Sequence, residues 1–122
     1  RLVQVGIRAG TPHQREQAAR FGVEVYGMDR WQEAVGIALE GPVYLSLDLD
    51  VLDPAFAPGL SHPEPGGLST RQVLEILQRL DGRLVAADVV EYNPRNDLRD
   101  LTARVAAKCV KEIAGRMLGG DT

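Results

Sequence analysis

Four short apolar runs, separated by segments with helical periodicity, restrict this chain to a small set of folds. The runs cover residues 2–7, 23–26, 43–49 and 84–90. A helix between two strands carries the chain back across the sheet, so that the strands pair in parallel. The two longest runs are almost continuously apolar, which is typical of strands covered on both faces. The pattern predicts an α/β fold with a parallel sheet in three layers, α/β/α.

The segments between the runs carry helix start signals. Thr11 and Ser69 each precede a glutamine by three residues, which is the pattern of a capping box. Asp29 and Gln32 have the same spacing. Gly41 is predicted to end the second helix and Asp81 to begin a turn. The predicted helices cover about residues 12–21, 29–39, 69–80 and 97–118.

Composition excludes some classes of function. The formal net charge of −3 argues against a nucleic-acid partner, which needs a basic face. No apolar run approaches the roughly 20 residues that span a membrane. The single cysteine, Cys109, fits a reducing compartment, so we predict a cytoplasmic location. With no repeat and no internal boundary, residues 1–122 are predicted to form a single domain.

Two aspartates lie at the carboxyl end of the third run, where parallel sheets bind their ligands. Side chains alternate along a strand, so Asp48 and Asp50 are expected on one face. Their repulsion and desolvation would be offset by one or two divalent cations. Two alternatives stay open: both are solvated loop carboxylates, or one is a phospho-acceptor aspartate. The second is weaker, because no lysine ends the following strand and no acidic pair precedes the aspartates.

A further carboxylate, Glu91, comes just after the last run, at the same predicted edge. It could pair with a cationic substrate, best of all with the two-pronged geometry of a guanidinium. The alternative is an ordinary surface glutamate. Asp88 lies within the run itself, and we predict that it is hydrogen-bonded for structural reasons.

Residues 46–59, SLDLDVLDPAFAPG, and residues 61–69, SHPEPGGLS, make the chain recognisable. They resemble the signature and following loop of the ureohydrolase (arginase/agmatinase) family, in its plant-type arginase branch. The resemblance extends over essentially the whole chain. It implies the carboxy-terminal half of an arginase-like domain, with the last four of eight parallel strands.

The resemblance implies manganese-dependent hydrolysis of a guanidino compound, arginine or agmatine, to urea and an amine. Two Mn²⁺ ions would activate the attacking water. Asp48 and Asp50 would be metal ligands, and Glu91 would bind the substrate guanidinium. Asp53 would shape the turn below the site, and His62, in the loop over its mouth, receives no chemical role. No residue of this chain is assigned as catalytic.

Two family motifs are absent, glycine-glycine-aspartate-histidine and aspartate-alanine-histidine-x-aspartate, and with them the other four metal ligands. The chain alone is therefore expected to be inactive, although it would supply part of a hydrolase site. The alternative to this hydrolase function is a truncated, non-catalytic half-domain with a structural or assembly role.

In the family strand order, the strand that carries the absent aspartate-alanine-histidine motif lies between two pairs of these four strands. The resemblance therefore predicts a gap in the sheet. Residues 2–7 and 23–26 would lie on one side of it, and residues 43–50 and 84–90 on the other. We expect the chain to close the gap by re-pairing, or to pair with another chain, as a homo-oligomer or with the missing half.

Overall fold

Strands and helices alternate in the computed structural model, which describes residues 1–119. The final residues of the predicted domain, 120–122, lie outside the described residues. The strands are β1 (Val3–Ile7), β2 (Glu24–Gly27), β3 (Ala38–Asp48) and β4 (Asp81–Val90). The helices are α1 (Pro12–Arg20), α2 (Thr70–Gln78) and α3 (Leu101–Met117). The predicted α/β class is confirmed, and none of the described helices is long and apolar enough to cross a membrane.

The strands form two separate parallel pairs, β1 with β2 and β3 with β4. The predicted parallel pairing is confirmed, and the gap falls between the two predicted pairs. Within residues 1–119 no strand joins the two sheets, so the expectation that the chain closes the gap by re-pairing is wrong. Pairing with another chain stays a prediction.

Side chains at both ends of β1 tie the two sheets together across this gap. The Arg1 guanidinium donates to the carbonyl oxygen of Ala38, at 2.7 Å. At the other end, the Arg8 guanidinium donates to the carbonyl oxygens of Asp50 and Leu52. These bonds reach the main chain of β3 and of the segment that follows it. The β1–β2 unit is thus fixed beside the region that carries the predicted metal ligands.

One apolar core lies between the β3–β4 sheet and the helices α2 and α3. Leu47 and Leu84 contribute from the strands. The helices add Val73, Leu74, Leu77, Val105, Cys109 and Ile113, all of them buried. The alternate β3 residues Tyr44, Ser46 and Asp48 are exposed. The helices α2 and α3 therefore pack on the other face of this sheet.

The predicted helix over residues 29–39 is wrong. A single 3-10 turn, Trp31–Ala34, satisfies the apolar spacing, because Trp31 and Ala34 are both buried. Gly36 then adopts a φ of +74°, and β3 already begins at Ala38. The predicted helix stop at Gly41 lies inside β3, where the register with β4 shifts.

The predicted turn at Asp81–Gly82 is also wrong, since both residues open β4. A Cβ on Gly82 would lie 2.9 Å from Cγ2 of Val43, on the paired strand. This glycine therefore allows β4 to approach β3 closely at its first residues.

The capping boxes at Thr11 and Ser69 are confirmed, with both reciprocal hydrogen bonds present. The last helix begins at Leu101, later than predicted. Its first turn is capped by Asp97, whose carboxylate accepts from the backbone N–H groups of Leu98, Thr102 and Ala103. Burial raises the pKa of Asp97, but these donors outweigh it and hold that pKa well below its usual value.

Asp97→Asn is expected to lower the free energy of unfolding by about 1 kcal/mol at neutral pH, because the amide keeps only one of the two acceptor oxygens that Asp97 uses and loses its charge. The Asp97 contribution is present above the unfolded pKa of about 3.9 and is lost as pH falls below it. Urea denaturation at neutral and acidic pH measures the difference. Asp100→Asn is the matched control, because Asp100 is exposed and its side chain does not cap the helix. Equal effects of the two substitutions would contradict the cap.

Candidate functional site

β3 ends at Asp48, and the chain turns at once into the 3-10 segment Leu49–Val51. The Asp48 carboxylate accepts the N–H of Asp50 at 2.9 Å and so caps this turn. Leu49, fully buried, anchors the turn in the core. The prediction that Asp48 and Asp50 share one face of a single strand is therefore wrong, because Asp50 lies in the turn after β3.

The loop that follows is held by Asp53. Its carboxylate accepts from the backbone N–H groups of Ala55 at 2.9 Å, Gly66 at 2.7 Å and Gly67 at 3.2 Å. The N–H groups of Ala55 and Gly66 are the main reason that the pKa of Asp53 is lowered. A Cβ on Gly67 would lie 2.5 Å from the backbone of Leu52, so only glycine fits there. Asp53 thus shapes the turn, as the family resemblance implied.

Glu91 is the first residue after β4, and its backbone has a φ of +66°. The Ser61 N–H donates to the Glu91 carbonyl oxygen at 3.2 Å, and the Ser61 hydroxyl donates to it at 3.3 Å. A β-bridge between Leu60 and Tyr92 adds a second tie. The proline-rich loop that follows the 3-10 segment, residues 53–67, is therefore joined to the end of β4.

The same loop also contacts the end of β3 through His62. The His62 N–H donates to Oδ1 of Asp50 at 3.1 Å, and the imidazole Nδ1 lies 3.0 Å from Oδ2. The side chains of Asp50, His62 and Glu91 each offer a ligand atom, and these atoms lie within 4.8 Å of one another. No spacing rule marks His62 in the sequence, and only closure of the loop brings it to Asp50.

Asp48 lies beside this group. Partial burial raises the pKa of Asp48, and the charges of Asp50 and Glu91 raise it further. The Asp50 N–H and His62 act in the opposite direction. The structure thus brings Asp48, Asp50 and Glu91 together at one rim, as predicted, and adds His62.

This concentration of negative charge suits a divalent cation. Among residues 1–119, no lysine or arginine forms a salt bridge with Asp48, Asp50 or Glu91, and the one histidine contact of this kind is that of His62 with Asp50. Carboxylate oxygens are the ligands of hard cations such as Mn²⁺, and an imidazole is compatible with them. The donor set therefore fits the metal that the family resemblance implied, although it is smaller than a closed site requires.

Asp88 has a different environment from this group. The hydroxyls of Tyr44 and Ser46 donate to its two carboxylate oxygens, and they lower its pKa. Its predicted structural hydrogen bonding is confirmed.

Comparison with known proteins agrees with this geometry. The model of the arginase family matches residues 1–115. The chain belongs to the arginase family. The predicted family and its half-fold are thereby confirmed.

The relatives of this arginase-family chain are longer than it is. It is 52% identical to arginase 1, mitochondrial, of Oryza sativa subsp. japonica, over 96% of this chain and 37% of that protein. It is 39% identical to guanidinopropionase of Pseudomonas aeruginosa, over 93% of this chain and 39% of that protein. The solved arginase from Medicago truncatula superimposes with a TM-score of 0.86 at 48% identity, covering 95% of this chain and 39% of that one. The chain therefore spans about two fifths of the length of these relatives.

Opposite stability effects are expected for the same substitution at two aspartates of one sheet face. In metal-free buffer at neutral pH, Asp48→Asn should raise the melting temperature, because it removes a partly buried charge that Asp50 and Glu91 also repel. The gain in the free energy of unfolding should stay below ~1 kcal/mol, because the Asp48 side chain is largely solvated. Asp88→Asn should lower the melting temperature, because Asp88 is stabilised as an anion by Tyr44 and Ser46.

The Asp88 effect should shrink as pH falls below about 4, because its folded-state pKa is lowered below the unfolded value. The Asp48 effect should already shrink as pH falls toward about 4 from above, because its folded-state pKa is raised above the unfolded value. Differential scanning calorimetry with a chelator present measures them. A loss of stability in Asp48→Asn equal to that in Asp88→Asn would contradict the proposed charge repulsion.

Proposed function

We propose that this chain supplies part of the metal and guanidinium site of a manganese-dependent guanidino hydrolase. The observation that carries the proposal is the convergence of Asp48, Asp50 and Glu91 at the carboxyl ends of β3 and β4. These carboxylates come from two adjacent parallel strands, at the edge where such sheets bind ligands. Membership of the arginase family supports the same reaction.

Asp48 and Asp50 would hold the cation. A bound divalent metal supplies Lewis acidity, which makes a water molecule nucleophilic near neutral pH. The chain's own contribution is to hold its carboxylates in place before the metal arrives. The Asp50 N–H fixes Asp48, and the His62 N–H fixes Asp50.

Glu91 would bind the substrate guanidinium. Its side chain is exposed and can accept two parallel N–H bonds from a guanidinium, a geometry that gives direction as well as affinity. The hydrogen bonds from Ser61 to the Glu91 carbonyl hold its main chain. This arrangement would place the guanidino carbon beside Asp48 and Asp50. Arginine and agmatine both carry the group that Glu91 recognises, so both are proposed substrates of the whole site.

The residues of this chain make an open metal site. The chain has two histidines, and His13 lies in the first turn of α1, away from the cluster. With Asp48 and Asp50 as its protein ligands, a cation would keep most of its coordination positions for water. We propose that the chain alone binds Mn²⁺ weakly and releases little urea, and that further ligands come from a paired polypeptide.

The gap between β1 and β3 supports such pairing. Within the described residues, β1 pairs only with β2 and β3 only with β4, which leaves one edge of each unpaired. Unpaired edges accept a strand from another polypeptide. The same observation favours the second candidate function, a non-catalytic half-domain with a structural or assembly role. The partner is either a second copy or a polypeptide with the missing half, and sedimentation of the purified chain distinguishes a monomer from a homo-oligomer.

Metal titration and a urea assay separate the two candidates. Isothermal titration calorimetry should show weak Mn²⁺ binding that is lost in the Asp48→Asn/Asp50→Asn double variant and kept in Glu64→Gln, an exposed control in the nearby loop. The chain alone should release little or no urea from arginine or agmatine. Absence of both Mn²⁺ binding and urea would favour the assembly role. Rapid urea release by the chain alone would contradict the open site.

A further inference from the structure

We propose that His62 is a positioning residue, which orients the Asp50 carboxylate toward a bound cation. The proposal rests on the proposed function of Asp50 as a metal ligand. It assigns a role to a loop residue that the sequence left without one.

Both oxygens of the Asp50 carboxylate are held by this one residue. The main-chain N–H of His62 donates to Oδ1 at 3.1 Å, and Nδ1 of its imidazole lies 3.0 Å from Oδ2. A carboxylate held at both oxygens cannot rotate freely, so its remaining lone pairs keep a fixed direction. Hydrogen bonds of this kind set the orientation of metal ligands and tune metal affinity.

The position of His62 is itself set by neighbouring residues of the loop. Leu60 is fully buried, and its carbonyl oxygen accepts from the Asn96 side-chain amide at 2.9 Å. Ser61 donates twice to the carbonyl oxygen of Glu91. His62 follows directly and reaches Asp50. The loop therefore joins the segment after β4 to the segment after β3 and sets the position of Asp50 relative to Glu91.

The geometry favours orientation of Asp50 over direct ligation through Nδ1. To bond a carboxylate, Nδ1 must carry its hydrogen, and it then has no lone pair for a metal. The imidazole is 84% exposed, whereas the Asp50 side chain is 17% exposed. Water competes for an exposed hydrogen bond. The loss of metal affinity on removing this bond should therefore lie at the low end of the range for residues that hydrogen-bond a metal ligand.

The test compares Mn²⁺ affinity in matched variants of the chain, by calorimetry or by the electron paramagnetic resonance signal of free Mn²⁺. His62→Ala should weaken binding by about tenfold, the lower limit for such residues. His62→Asn should recover most of the loss, because its side-chain N–H can donate to the same oxygen. Glu64→Gln should bind like the wild type. Wild-type affinity in His62→Ala, or no recovery in His62→Asn, would overturn the proposal.

A metal-free measurement keeps this test separate from the proposed function. Long-range ¹H–¹⁵N spectra report which nitrogen of His62 carries the hydrogen. We expect Nδ1–H in the wild type and loss of that preference in Asp50→Asn. A wild type that takes up no Mn²⁺ but shows Nδ1–H would refute the metal function and keep the Asp50–His62 bond. An Nε2–H tautomer in the wild type would overturn the role of His62, whatever the metal titration shows.

Discussion

Mutual repulsion among carboxylates at one rim is the constraint on which the rest of this structure depends. Asp48, Asp50 and Glu91 lie at the ends of adjacent strands, and partial burial, together with the charges of Asp50 and Glu91, raises the pKa of Asp48. A polypeptide does not hold such charges together without cause, because their repulsion opposes folding. Here backbone N–H groups and a loop tied to both strand ends keep them in place. A divalent cation is the partner that we propose for this arrangement.

Local chemistry could be predicted from the sequence, whereas long-range closure could not. The capping boxes at Thr11 and Ser69 depend on residues three positions apart, so the pattern alone reveals them. The segment after Trp31 was predicted wrongly because a single 3-10 turn and a long helix share the same first apolar spacing. The contact between His62 and Asp50 joins residues twelve positions apart through a folded loop, and no local rule predicts it.

The site shows the same division. The convergence of Asp48 and Glu91 followed from the topology of parallel strands, because both lie at carboxyl ends of the sheet. The place of Asp50 was predicted for the wrong reason, since strand alternation does not extend into the turn that Asp48 caps. The split into two sheets could be predicted only from the family's strand order. Each observed pair consists of consecutive strands, β1 with β2 and β3 with β4. Composition and periodicity do not specify which strands are neighbours, so they could not predict that β2 and β3 fall in different sheets.

The location of bound Mn²⁺ tests the central claim most directly. Paramagnetic Mn²⁺, added below stoichiometry to the ¹⁵N-labelled chain, broadens the amide signals of residues close to where it binds. The account predicts selective broadening around Asp48, Asp50, His62 and Glu91, with the signals around Asp88 less affected. Broadening spread evenly over the exposed acidic residues, or centred elsewhere on the chain, would contradict it.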